Sequence, residues 1–314
     1  MRQLQITAPG QFAFVEAPRP EPGPGEVLIR VLAVTTCPHW DLHIMSGEPM
    51  FPGGTIEYPY TAGQPGHEAC GDVIGVGNGV HEFAVGDRVC VWRDPGHHLP
   101  GCYADYVARP VSDVIKVPRE LPPEACAPLE LAMCVSAHMQ LAERLDAVQG
   151  NRIAVWGLGP AGLVFIQLAR AAHAIEVVGF DPVASRRELA RRLGADVAMD
   201  PRDAAFPNRW FHCSFDCAGN PSAVQQAMDA TSHLVVLFAV QREPYVYKPS
   251  SWGGLILAGT QPHTYGAAEY AVRRLREGVL DLRSLVTHVM PLTEYGRAVE
   301  LLRNKEAVKV ALTP

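Results

Sequence analysis

The sequence is short of lysine: Lys116, Lys248, Lys305 and Lys309 are the whole complement in 314 residues. Arginine carries the rest of the positive charge, no basic run occurs, and the net charge is −6. A nucleic-acid partner calls for a clustered positive face, so that class is set aside. No apolar stretch approaches the roughly 18 residues that a membrane-crossing helix needs. The N-terminal residues also lack a charged-then-apolar export pattern. A cytoplasmic protein without membrane contact is the expectation. Cysteine is sparse, eight residues scattered along the chain, which does not read as a disulfide framework. Those thiols are left as small core residues or metal ligands. Internal repeats and low-complexity segments are missing too.

What is present is a chain 48% hydrophobic and 19% charged, globular in composition and long enough for about two domains. Its most informative stretch begins with the strand-like run Arg152–Trp156 and turns through Gly157-Leu158-Gly159-Pro160-Ala161-Gly162. A helix-like segment, Leu163 to Arg170, comes next, and Asp181 closes the following apolar run, Ile175 to Phe180. Strand, G-x-G-x-x-G turn, helix, strand and acid form the unit that holds a dinucleotide. Free N–H groups at a helix start meet the phosphate charge. An acid at Asp181 accepts from an adenosine ribose, which favours NAD over NADP.

The rest divides around this unit. Residues before about 124 form short strands punctuated by Gly and Pro, such as Pro18 to Gly25 and Ser46 to Gly63, a compact β-rich pattern. Glu124 to Leu145 reads as helix apart from Pro128. After Gly150, strands at 153–156, 175–180, 213–217, 234–239 and 255–258 alternate with helices, which predicts a doubly wound α/β sheet. A helix at 267–277, a turn, a helix at 293–304 and a strand at 307–312 complete the chain.

The ligand-type residues lie in the β-rich part. Cys37 is followed by His39, Asp41 and His43, and His67-Glu68 sits in a Gly-flanked turn. A third donor is sought near Glu130 to Cys134. A catalytic zinc takes three protein ligands and keeps one position open, where it makes an alcohol proton easier to lose before hydride leaves. Trp40, Trp92 and Met133 are candidates to line a substrate pocket or to be plain core. His97, His98 and Cys102 read as a surface turn.

Six motifs in order carry a family resemblance: Gly66-His67-Glu68 with Gly71, Gly86-Asp87-Arg88-Val89, Gly157 to Gly162, Leu193-Gly194-Ala195-Asp196, Asp216-Cys217-Ala218-Gly219 and Ala307-Val308-Lys309-Val310. Together the chain resembles the zinc-dependent medium-chain dehydrogenase/reductase family. The resemblance implies a GroES-like catalytic domain at 1–134 and 260–314 and a Rossmann NAD-binding domain at 135–259. It implies Cys37 and His67 as zinc ligands, with Glu68 able to approach the metal, and either Glu130 or Cys134 as the third ligand. Asp41 matches a carboxylate that orients the ligand histidine, and His43 a histidine of the proton relay. Lys309 matches a basic residue near the cofactor pyrophosphate, and Arg186 stands where it would flank the ribose. The chain departs from the family in two ways. One more residue than usual separates Cys37 from Asp41, which brings His39 forward as a relay candidate. The four-cysteine structural zinc lobe is missing, so one catalytic zinc and NAD(H) are the expected cofactors. The expected activity is hydride transfer between NAD and an alcohol, with a polyol, sugar or cyclitol included, in a homodimer or homotetramer. The alternatives are a zinc-free enone or quinone reductase of the same superfamily and a non-catalytic nucleotide-binding protein.

Overall fold

The computed structural model describes residues 1–94, 96–204 and 206–314. The chain opens with β1 (Arg2–Ala8), β2 (Gln11–Glu16), β3 (Glu26–Thr35) and α1 (Pro38–Ser46). β4 (Glu68–Val76), β5 (Arg88–Val91), β6 (Tyr106–Pro110) and β7 (Val114–Lys116) follow, then α2 (Pro123–Cys126) and α3 (Leu129–Arg144). An alternating run comes next: β8 (Arg152–Trp156), α4 (Pro160–Ala171), β9 (Glu176–Phe180), α5 (Ala184–Arg192) and β10 (Val197–Met199). It continues through β11 (Phe211–Asp216), α6 (Pro221–Ala230), β12 (Thr231–Leu237), α7 (Pro249–Trp252) and β13 (Ile256–Ala258). Last come α8 (Tyr265–Arg276), β14 (Val286–Pro291), α9 (Tyr295–Arg303) and β15 (Lys309–Thr313).

The chain forms two compact units, Met1–Leu131 with Leu282–Pro314, and Ala132–Asp281. In the first, strands pair in the order β14-β15-β3-β4-β5-β7, with β6 also on β3. The C-terminal strand β15 is therefore interior, parallel to β14 and antiparallel to β3. Its burial is complete at Val310, Ala311 and Leu312, which join Val27, Ile29, Val31 and Val73 in the core.

The second unit is one parallel sheet ordered β10-β9-β8-β11-β12-β13. Strand order reverses between β8 and β11, the switch point at which such sheets take ligands. Parallel strands covered on both faces need continuous apolar runs, and Ile153, Ala154, Val155, Val177 and Val178 are fully buried.

Three features differ from the sequence reading. The helix expected across 124–145 is two helices, because Pro128 has no N–H to give and its ring crowds the preceding turn; Ala127 before it still keeps helical backbone. The three-residue β10 and the strand β14 were not anticipated; β14 alternates buried and exposed positions only loosely. The second unit runs to Asp281, beyond the boundary expected at residue 259. Its helix α8 buries Ala267, Ala268, Ala271 and Val272, and Tyr270 Oη donates to Glu143 at 2.8 Å. Asp281 N–H donates to Gln167 at 2.6 Å, which ties the end of the segment to α4. Among the described residues, no helix is long and apolar enough to cross a membrane.

Candidate active site

The antiparallel register of β3 on β4 pairs Thr35 with Glu68. Cys37, two residues past Thr35, and His67, one residue before Glu68, are thereby delivered to the same end of the strand pair. Cys37 is the residue before the first turn of α1, with Pro38 at the first helical position, where its missing N–H costs nothing. The Cys37 N–H donates to Asp41 Oδ2 at 2.8 Å, a side-chain return bond of the kind that closes helix starts. Donor atoms of Cys37, His67 and Glu68 lie within 4.8 Å of one another.

His67 is 6% exposed. Its Nδ1 donates to the Pro65 carbonyl at 2.7 Å, so in the neutral ring Nε2 carries the lone pair. That arrangement sets the tautomer a metal ligand needs. Glu130 Oε2, from the first turn of α3, lies 3.8 Å from His67 Nε2. Burial on its own pulls the His67 pKa down, but the hydrogen bond with Cys37, with Glu130, the Cys37 charge and Glu68 behind it, holds the ring well above its usual value. A buried imidazole surrounded by a thiol and two carboxylates occupies a place that favours positive charge. Thiolate, imidazole and carboxylate together fit zinc.

Glu68 is committed elsewhere. Lys309 Nζ lies 2.5 and 2.6 Å from its two oxygens, and Thr35 Oγ1 donates to it at 2.7 Å. Lys309 also donates to Thr36 O at 2.9 Å. Both charges are 1% exposed. The lysine matched to a cofactor phosphate thus spends its charge inside the first unit, binding β15 to β4 and to the end of β3.

Asp41 is not on the His67 ring, contrary to the orienting role the resemblance implied. Tyr103 and Tyr295 donate to its Oδ1 at 2.9 and 2.8 Å, and the Pro65 carbonyl has taken the His67 Nδ1–H. Burial lifts the Asp41 pKa to about 6 despite these donors. At neutral pH it is ionised and fixes the Cys37 backbone. His39 and His43 stack on each other one helical turn apart, ring centres 5.2 Å apart, and His43 Nδ1 lies 3.1 Å from Glu48 O.

Of the three residues read as a surface turn, His97, His98 and Cys102, only His98 is exposed. Cys102 is fully buried, and His97 packs on Trp40 with centroids 4.1 Å apart. His97 Nδ1 lies 2.7 Å from Tyr60 Oη, and its Nε2 lies 3.3 Å from Asp94. Burial opposes the Asp94 charge, but the His97 hydrogen bond and the nearby His67 lower its pKa to about 2. The paired histidines at 97 and 98 were the available signal for this; nothing local said which one would turn inward. Trp92 is core, 4% exposed.

In the second unit, the glycine turn divides its work. Gly157 has φ +93°, the left-handed region that side chains avoid. Gly159 has open space where a Cβ would stand, and a Cβ on Gly162 would lie 1.9 Å from the Gly157 carbonyl oxygen. Pro160 and Ala161 form the first turn of α4, and no side chain caps that helix; its first N–H groups are available to an anion. Asp181 accepts from Leu158 N–H at 2.9 Å and from Val183 N–H at 2.8 Å, a brace across the turn that spacing did not reveal. Arg186 lies 3.7 Å from the same carboxylate. Cys134 falls in this unit, with its Sγ 3.3 Å from His263 Nε2. His138 donates from Nδ1 to Cys134 O at 2.7 Å and accepts at Nε2 from Gln261 N–H at 3.1 Å. Met133 is fully buried.

Fold and donor set together define a class: a dinucleotide-fold oxidoreductase whose β-rich unit carries a metal-ready cluster. Two family descriptions match, "Alcohol dehydrogenase GroES-like domain" over residues 23–119 and "Zinc-binding dehydrogenase" over residues 160–282. The L-threonine 3-dehydrogenase of Pyrococcus horikoshii is 29% identical, covering 99% of this chain and 97% of its own length. That of Symbiobacterium thermophilum is also 29% identical, covering 100% and 98%. Among solved structures, 2R,3R-butanediol dehydrogenase from Bacillus subtilis superposes with a TM-score of 0.86 at 23% identity, covering 100% of this chain and 99% of that one. A zinc-binding dehydrogenase from Sinorhizobium meliloti bound to NADP has a TM-score of 0.84 at 25% identity, covering 100% and 99%. The chain belongs to the zinc-dependent medium-chain dehydrogenase/reductase family and is an oxidoreductase.

Proposed function

We propose that the protein is a zinc-dependent dehydrogenase that moves hydride between NAD and a hydroxyl-bearing substrate of the alcohol or polyol class. The observation that carries this reading is the convergence of Cys37 and Glu130 on a His67 whose Nδ1 is already anchored. Cys37, His67 and Glu130 would hold the zinc, and Glu130 is preferred over Cys134 for its 3.8 Å approach to His67. Glu68 is held off by Lys309. Zinc there would act as a Lewis acid toward the reacting oxygen. Asp41 keeps the Cys37 backbone in place, the Pro65 carbonyl keeps the His67 ring in place, and His43 with His39 carries the proton outward. The Gly157–Gly162 turn and the start of α4 would take the pyrophosphate, and Asp181 the ribose, which favours NAD. Arg186 beside it tempers that preference. The relatives named for L-threonine and for butanediol support a substrate with a second polar group beside the reacting hydroxyl. The catalytic domain is assigned to 1–131 with 282–314, the cofactor domain to 132–281. A cytoplasmic homodimer or homotetramer is the assembly proposed.

The test is elemental analysis of the purified chain together with a substrate panel followed at the nicotinamide absorbance. One zinc per chain, lost with activity in Cys37→Ala and Glu130→Ala, is expected. A metal-free and fully active enzyme would transfer the assignment to the zinc-free reductases.

A further inference from the structure

Among the described residues, the Cys37 cluster is one of two donor sets built on His67. Donor atoms of His67, Asp94 and His97 also lie within 4.8 Å of one another. The Asp94 and His97 side chains are each 14% exposed, so they are largely withdrawn from solvent. Both histidines share one design. His67 Nδ1 is anchored on the Pro65 carbonyl and His97 Nδ1 on Tyr60 Oη, each at 2.7 Å. Each ring is held at one nitrogen while the other faces a carboxylate: His67 Nε2 faces Glu130 at 3.8 Å, and His97 Nε2 faces Asp94 at 3.3 Å. Outer partners of this kind fix the orientation of metal-binding imidazoles, and the carbonyl on His67 fixes its tautomer as well. Neighbouring ligands around a tetrahedral ion with bonds of about 2.0–2.2 Å stand about 3.3–3.6 Å apart. The Asp94–His97 pair therefore already has the separation of two ligands. Stacking on Trp40 and the Asp94 acceptance of Gly96 N–H at 3.0 Å hold the segment in place.

We propose that His67, His97 and Asp94 form a second binding position for a divalent cation, and that this position and the Cys37–His67–Glu130 set are filled one at a time because both need His67 Nε2. The inference rests on the zinc reading above and goes beyond it. It gives the segment 92–102 a role in retaining metal. The donor set of two imidazoles and one carboxylate lacks sulfur, so it suits borderline and harder divalent ions.

Cobalt(II) is the probe, because a thiolate ligand adds an intense near-ultraviolet charge-transfer band. The wild-type chain is expected to bind one cobalt with that band. Cys37→Ala should still bind one cobalt per chain without the band and with about 10- to 100-fold weaker affinity, the scale of a perturbed ligand shell. Adding Asp94→Asn and His97→Gln to Cys37→Ala should remove most of the remaining binding, while circular dichroism and a thermal transition report that the variant is folded. Loss of all cobalt in Cys37→Ala alone, or unchanged binding in the triple variant, would overturn the second position and leave the first intact. A wild-type chain that binds no cobalt would overturn the zinc reading itself.

Discussion

Lys309→Met is the sharpest perturbation the structure offers. The ammonium is 1% exposed and contacts both oxygens of Glu68 and the carbonyl of Thr36. Methionine is one atom shorter and keeps most of the packing, but it strands a buried carboxylate with its Thr35 hydrogen bond. Breaking a buried ion pair from one side costs about 3–5 kcal/mol. A unit of this size loses roughly 2–4 °C per kcal/mol, so a fall of about 6–20 °C in thermal midpoint is expected. The cost should belong to the orphaned charge and not to the missing lysine. Glu68→Gln combined with Lys309→Met should therefore recover more than half of the loss, because a neutral amide still accepts from Thr35. The assay is calorimetry on the single and double variants with chelator present, which removes any metal bound near His67. A loss below about 1 kcal/mol in the single variant, or a double variant no better than the single, would refute the reasoning from buried-pair energetics.

The nucleotide turn gives a matched pair. Gly162→Ala should weaken NADH binding at least about 10-fold in a fluorescence titration, because its Cβ meets the Gly157 oxygen at 1.9 Å. Gly159→Ala, with open space around the new methyl, should leave the thermal midpoint within about 2 °C and affect only the nucleotide; equal destabilisation by both would show that the roles were misassigned. Asp181→Ala removes the acceptor for Leu158 N–H and leaves Arg186 without its carboxylate neighbour. The ratio of kcat/KM for NAD over NADP should fall, and an unchanged ratio would count against the ribose assignment. His138 supplies a pH dependence. Burial lowers its pKa, so the folded state resists protonation that the unfolded chain accepts below about 6.5. Its contribution to stability is complete above that value and is lost as pH falls through the depressed folded pKa. Normalised hydrogen-exchange protection at the Gln261 amide, which donates to His138 Nε2, should fall between pH 8 and 5. A flat profile would remove this titration from the account.

The parallel sheet was legible because its strands need long buried apolar runs, and runs such as 153–156 and 175–180 stand out without any partner in view. The glycine turn was legible because three separate constraints fall within six residues. β10 was not, because three residues carry too little pattern. The Glu68–Lys309 pair joins positions separated by 241 residues, and the basic residue there could be read only through resemblance. Nothing local distinguishes a lysine that faces a phosphate from one that faces a buried acid. The choice between Glu130 and Cys134 was open for a related reason. The two lie one helical turn apart on α3, so any register that presents one also comes close to presenting the other.

Helix α1, which follows Cys37, packs on His97 through Trp40. An α-helix advances about 100° per residue, so one insertion turns every later side chain of α1 by about that angle relative to the usual spacing. Asp41 then faces Tyr103 and Tyr295 and grips the Cys37 N–H, while the Pro65 carbonyl orients His67 in its place. Trp40 of the same helix packs on His97. Removing either ring takes one packing partner from the other. Trp40→Ala should therefore loosen His97, and His97→Ala should expose Trp40. A double-mutant cycle on the thermal midpoint should show a coupling of about 0.5–1.5 kcal/mol, the range for a packed aromatic pair. Additive effects would mean that the Trp40–His97 contact contributes nothing of its own to stability.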